Sequence, residues 1–282
     1  MRQHRWCSFL ISLVVLSVSS LPGLAQTAIV PTISGNELTA RIELPGGLAA
    51  DLTVTFESVV GLNGNALALS ASTVNPKDLS FLGRLPSGVS IPSGFPVVVK
   101  IDPTASSALS FEGVYKLSLH THNLTLGANS PLRLYRSSGG APFADMTGFL
   151  QAGSVRAGGS GPGFSEFLIA VDTRSVDSVI NSKFDALNNQ LSANASSMSE
   201  AVAADLQQRL NQARAAYNTG ALVTAIDAVG GFGDEVKRQS GSVIPNVWRA
   251  NGGPTNVAGL LRAGADTLKF SLVFKSNLTA LP

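Results

Sequence analysis

The hydrophobic period changes once along this chain, near Thr173, and that change limits what it can fold into. Before it, apolar residues recur at every second position; after it, at every third or fourth. In "ELTARIEL" (37–44), Leu38, Ala40, Ile42 and Leu44 share one face, and Glu37, Thr39, Arg41 and Glu43 the other. That alternation belongs to a half-buried strand, with one face on a core and one in water. The same pattern returns in 50–59, 66–73, 95–102, 114–126, 131–137, 154–160 and 164–172. Turn residues cut between these runs at "PGG" (45–47), "GLNGN" (61–65) and "SGG" (138–140). Short strands punctuated in this way predict an antiparallel sandwich rather than alternating β and α units.

From Ser175, a candidate N-cap, the step lengthens. Val176, Val179, Ile180, Phe184, Leu187 and Leu191 fall on one helical stripe. Val202, Leu206, Leu210, Ala213 and Tyr217 form a second, and Leu222, Ile226, Val229, Phe232 and Val236 a third. Gly230, Gly231 and Gly233 interrupt the third, and each costs about 1 kcal/mol against Ala in a helix, so a bend or early end is expected there. A fourth helix is expected at roughly 255–274. The fold class is therefore a two-part β + α chain. Residues 26–174 form an Ig-like antiparallel β-sandwich of about eight strands, and 175–275 a bundle of three to four α-helices. Residues 276–282 read as a disordered tail.

The first 25 residues stand apart. Arg2 and Arg5 precede a short apolar run from Trp6 to Val18, and Gly23-Leu24-Ala25 has the small residues a signal peptidase requires. The run is too short for a bilayer, which takes about 20 residues. A signal peptide cleaved after Ala25 is expected, with export to the periplasm or beyond and no integral membrane segment afterwards. Arg2 and Arg5 are two of the 20 basic residues, so residues 26–282 carry 18 basic against 18 acidic ones. No basic arm remains to bind nucleic acid. Cys7, the single cysteine, would leave with the leader, which excludes disulfides and thiolate metal ligands from the mature chain.

Chemistry-bearing motifs are few. His120 and His122 lie two apart in "LSLHTHNLTL", so in a strand they share a face and could hold one metal. Further donors would have to come from acids such as Asp102, Glu112 or Asp145. Leu117, Leu119, Thr121 and Asn123 take the opposite, core-facing side, which turns the histidines to solvent. "GGSGPG" (158–163) fits neither a nucleophile elbow nor a dinucleotide fingerprint, and reads as a hairpin loop. Asn123, Asn194 and Asn277 begin acceptor triplets for N-glycosylation, expected to be silent outside a eukaryotic secretory route. The residues supply no set for catalysis, no cofactor site and no metal site.

"PLRLYRSSGGAPFADMT" with "SVRAGGSGPGFSEFLIAVD" resembles the closing strands of sandwich domains in secreted bacterial surface proteins. Leu132, Leu134, Phe143, Asp145, Thr147, Phe164, Phe167 and Ile169 carry that likeness. "FDALNNQL" and "LQQRLNQARAAYNTGALVTAIDAVGGFGDEV" are similar to helical segments behind catalytic or binding modules. With "ARIELPGGLAADLTVTFESVVGLN" and "IPNVWRA", nearly the whole mature chain resembles an uncharacterised family of exported Gram-negative bacterial proteins, a domain of unknown function. The resemblance implies export and a two-part architecture, and brings no catalytic residue. The function expected is non-enzymatic: binding, adhesion or assembly at the envelope, with an envelope or extracellular partner. A secreted hydrolase of unrecognised type is the alternative, and a metal- or pH-responsive envelope protein using His120 and His122 a second.

Overall fold

The computed structural model describes residues 27–279, apart from positions 76, 128, 152 and 254. The expected signal peptide, 1–25, lies outside the described residues. Two antiparallel seven-stranded sheets account for the first half. One runs β1 (Thr27–Ile29), β5 (Leu67–Thr73), β7 (Val97–Pro103), β13 (Glu166–Asp172), β9 (Leu132–Ser137), β10 (Ala144–Asp145), with β6 (Val89–Ser90) beside β13. We call it sheet A. Sheet B runs β11 (Phe149–Gln151), β12 (Gly153–Gly161), β8 (Ser110–Leu126), β4 (Leu48–Val60), β3 (Glu37–Leu44), β2 (Thr32–Ser34). A strand from the helical half, β14 (Val247–Arg249), adds to β8.

All eight alternating segments contain a strand, and the other strands are two or three residues long. The inward side chains of both sheets meet in one core. Leu52, Val54, Phe56 and Leu117 come from sheet B, and Leu69, Val99, Ile101 and Phe167 from sheet A. Phe56, Phe111, Tyr115 and Phe164 cluster at one end, with Tyr115 and Phe164 stacked at 5.1 Å. Trp248 of β14 stacks on Phe111 at 5.2 Å, which pins the added strand through aromatic contact as well as backbone pairing.

The segment 158–163, expected to be a loop, is mostly strand: β12 extends through Gly161. Its glycines are there for close approach. A Cβ at Gly159 would collide with the Met146 carbonyl, and one at Gly161 with the Tyr115 ring. Met146–Gly148, which crosses from β10 to β11, can therefore lie flat on β12, with Gly148 N bonded to Gly158 O at 2.7 Å.

A short α1 (Leu79–Leu82) covers part of sheet A. The long helices are α2 (Val176–Ala193), α3 (Glu200–Asn218), α4 (Leu222–Gln239) and α5 (Val257–Thr279). Ser175 and Ser199 cap α2 and α3, accepting from the Ser178 and Val202 amides. The expected stripes share a core: Phe184, Leu187, Leu206, Leu210, Phe232 and Leu268 are all buried. Two expectations change. The glycines at 230, 231 and 233 do not break α4, because packing against α3 and α5 outweighs their poor propensity. Residues 276–279, expected to be disordered, continue α5.

The start of α5 is built onto sheet B. Asn256 is buried; its Nδ2 donates to Gly113 O at 2.7 Å, and its Oδ1 accepts from Gly259 N at 2.9 Å. A Cβ at Gly259 would collide with Gly113 O, so only glycine lets the helix come this close. One turn on, Arg262 Nη1 and Nη2 each donate to a Glu57 carboxylate oxygen at 2.6 Å, a bidentate clamp to β4. Burial pushes the Glu57 carboxyl up, but the Arg262 bonds outweigh it and hold the group below the ordinary glutamate range. No helix among the described residues is long and apolar enough to cross a membrane.

Candidate functional site

Helix α5 has two flanks with different chemistry. On the inner flank it meets α2 and β10. Lys183 of α2 is buried, with Nζ 2.6 Å from Asp145 Oδ2, and donates to Thr267 Oγ1 at 2.7 Å, Ser271 Oγ at 2.9 Å and Thr267 O at 3.1 Å. An ammonium has three protons, so these acceptors saturate it. Burial pushes Lys183 below the ordinary lysine range, and the Asp145 carboxylate opposes that shift. Asp145 Oδ1 also accepts from Thr147 N at 2.8 Å.

Beside this pair, Asp172 of β13 is buried and accepts from Tyr135 OH at 2.7 Å and from Arg174 Nε and Nη2 at 2.9 and 2.7 Å. Burial raises the Asp172 carboxyl, and the Arg174 and Tyr135 bonds bring it below its usual range. Arg133 donates to the Ser130 and Leu132 carbonyls and lies over the Phe274 ring, 4.5 Å from its centroid. A cavity of about 190 Å³ opens between Phe143, Asp145, Arg174, Lys183 and Gln190. Its charged walls are ion-paired, Lys183 with Asp145 and Arg174 with Asp172. The inner flank is a polar clamp holding sheet A to α2 and α5.

On the outer flank a groove runs between α5 and the β11 edge of sheet B. One chamber, of about 390 Å³, is lined by Lys116, Phe149, Ser160, Asp266, Lys269 and Phe270, among others. A second, of about 250 Å³, continues past Phe270 and Val273 to Leu126, Leu150 and Phe274. Asp266, Lys269, Phe270, Val273, Phe274 and Asn277 are three or four residues apart, a single stripe of the helix. Phe270 and Phe274 stack at 6.2 Å under Arg133, so the aromatic floor is held from the inner flank. Lys116 and Lys269 are exposed; Asp266, partnered with Ser160, acts on Lys116 within the chamber, and Lys269 Nζ lies beside Gly230 of α4.

The histidines lie elsewhere, on the outer face of sheet B. Arg41, Asp51, His120 and Arg156 stand opposite one another across β3, β4, β8 and β12. His120 is half-buried: Nε2 is 2.7 Å from Ser154 Oγ, and Nδ1 is 3.7 Å from Asp51 and 3.4 Å from Arg156. His122 is exposed, its ring centroid 4.8 Å from that of His120. Asp51, which alternation did not single out, is the acid next to the pair. The acids named from sequence are not: Asp102 pairs with Lys100 on sheet A at 2.9 Å, Asp145 is held by Lys183, and Glu112 faces Ser58 and Val247 near the start of β8. Among the described residues, no three His, Cys, Asp or Glu side chains converge as a metal site. Asn123, first of the acceptor triplets, has its amide bonded to Ala49 N and Gly47 O.

The groove escaped sequence reading because its walls come from positions 116, 149, 160 and 266–277, brought together only by folding. A local signal existed. α5 carries a second apolar stripe, Phe270, Val273 and Phe274, beside its core stripe of Leu261, Ala265, Leu268 and Leu272. A helix apolar on two faces has more than one surface to cover.

Fold and groove together define a mixed β and α protein in which two paired antiparallel sheets carry helices along one side. The chain belongs to a family of unknown function, DUF6689, whose family model matches residues 13–276. No curated protein and no solved structure matches it.

Proposed function

We propose that this is an exported, non-enzymatic binding protein of the cell envelope, and that it binds through the outer groove of α5. The observation that carries this reading is the contrast between the flanks. On the inner flank Lys183 is paired with Asp145 and Arg174 with Asp172, whereas the groove offers open apolar surface bordered by the exposed Lys116 and Lys269. The larger chamber, of about 390 Å³, falls in the size range of ligand sites, about 300–1,000 Å³. Export rests on residues 1–25, with their short apolar run and small-residue cleavage site. On architecture, we read the sheets as a sandwich with Ig-like layering and the four long helices as a small bundle. The shared inter-sheet core and the separate helical core support that reading.

The hydrolase alternative has less support. The groove contains one carboxylate, Asp266, beside Ser160, and no histidine among its described lining residues. Expressing the full chain with a C-terminal tag in a Gram-negative host tests the proposal. The expected results are a mature N-terminus at Gln26, recovery outside the cytoplasm, and no turnover of ester, glycoside, peptide or phosphate substrates. Retention in the cytoplasm with the leader intact, or hydrolysis abolished by Asp266→Asn, would overturn it.

A further inference from the structure

A cavity of about 290 Å³ lies where β9 of sheet A, β14 and the start of α5 come together, and Arg136 and Arg249 both line it. Alternation along β9 turns Arg136 to the same side as Leu132 and Leu134, which puts a guanidinium into the space between the sheets. Its Nε is buried and has no hydrogen-bond partner among the described residues. The guanidinium lies beside the Tyr115 hydroxyl, which burial pushes up to about 12 and which donates to Gly163 O at 2.8 Å. A neutral phenol supplies no counter-charge. Arg249 is exposed, and a Cβ on Gly253, another lining residue, would stand 3.6 Å from its Nη1. Neither arginine is in an ion pair among the described residues. Taking a charge out of water without a counter-ion is costly, so Arg136 is the group that calls for an anion.

The rest of the lining agrees. It holds no Asp or Glu among its described residues, so the two guanidiniums keep their full charge. Trp248 Nε1, close to Gly163, adds an N–H that can only donate. The Gly163 and Pro162 carbonyls already accept from Tyr115 and Asn256. We propose that this cavity binds a small organic dianion bearing carboxylate or phosphoryl groups, one held by Arg136 inside and the other by Arg249 at the mouth. A guanidinium fork meets either oxyanion through two parallel bonds, and Phe164 and Leu260 give the ligand body an apolar wall. The volume is just below the usual range for ligand pockets, about 300–1,000 Å³, which restricts the ligand to a compact one. Residues 26–282 carry as many acids as bases, so there is no extended basic track for a polymeric anion. The site is separate from the α5 groove and does not rest on it.

The test is calorimetry on the full mature chain with succinate and glycerol phosphate as probes, beside monomethyl succinate and glycerol as counterparts lacking one or both charges. One saturable site is expected for at least one dianion, with its counterpart bound at least tenfold more weakly. Preference for succinate assigns a carboxylate ligand, and preference for glycerol phosphate a phosphoryl one. Arg136→Gln and Arg249→Gln should each weaken binding at least tenfold, and Lys116→Glu/Lys269→Glu should leave it within twofold. Thermal unfolding gives a second reading: the dianion should raise the unfolding temperature of the parent and not that of either arginine variant. Arg249 is exposed, so Arg249→Gln decides the matter if Arg136→Gln fails to fold. Absence of saturable binding for both probes, parental affinity in Arg249→Gln, or binding lost in the lysine double variant overturns the proposal.

Discussion

Along one flank of α5, buried Lys183 is paired with Asp145 and bonded to Thr267 and Ser271; along the other, exposed Lys116 and Lys269 border an open groove with Asp266 beside Lys116. The same helix thus serves cohesion on one side and recognition on the other. A buried charge left unpaired costs several kcal/mol, so the inner flank has little freedom to act on a ligand. An exposed lysine carries almost no stability, so the outer flank can change its partner without changing the fold. The two flanks meet at Arg133, whose contact with Phe274 lets inner order shape the outer floor.

The strongest way to break the comparison is on the inner flank. Lys183→Met strands Asp145 in a buried site and should cost about 3–5 kcal/mol in urea unfolding. Adding Asp145→Asn should recover much of it. A loss under about 1 kcal/mol would mean the pair is not a clamp.

Gly259→Ala comes next, and its sign is informative. Propensity alone favours Ala in a helix by about 1 kcal/mol, but a Cβ there collides with Gly113 O. Destabilisation of about 1–3 kcal/mol is expected from overpacking. A stabilised variant would show that α5 is free to lift from sheet B.

A smaller effect should appear in pH dependence. The Asp172 carboxyl is held below its ordinary range in the fold. Its contribution is therefore present above the unfolded pKa, about 4, and lost as pH falls through the folded value. Asp172→Asn should cost about 1–2 kcal/mol at pH 7 and flatten the decline in stability below about pH 4. Chemical denaturation at pH 7 and pH 3 checks both.

The least effect belongs to the outer flank: Val273→Ser should leave stability within about 0.5 kcal/mol of the parent. A larger loss would make the groove a part of the core.

Much of this architecture was legible from period alone, since long strands and amphipathic helices announce themselves through repeated burial. What stayed hidden has specific causes. "PLRLYRS" alternates like a one-sided strand, yet Arg133 and Tyr135 are buried as well as Leu132 and Leu134. The second face is covered by helices and satisfied through polar pairing, which hydropathy does not register. The glycines of 158–161 carry the composition of a loop but occupy a strand crowded by Met146 and Tyr115. The strands of two or three residues are too short to show a period. For the histidines, alternation identified the shared face; the neighbouring acid, Asp51, depends on register between β4 and β8. The groove needed all of these placements at once.

The most direct test of the central claim, that the outer flank of α5 is where this protein meets its ligand, is site-specific photo-crosslinking in cells exporting it. A photoreactive residue at Val273, in the groove, is compared with one at Val223, an exposed position on α4. Adducts to an envelope component should form from 273 and not from 223, and vanish with Lys116→Glu/Lys269→Glu. Equal labelling from both positions, or labelling from 223 alone, would contradict it.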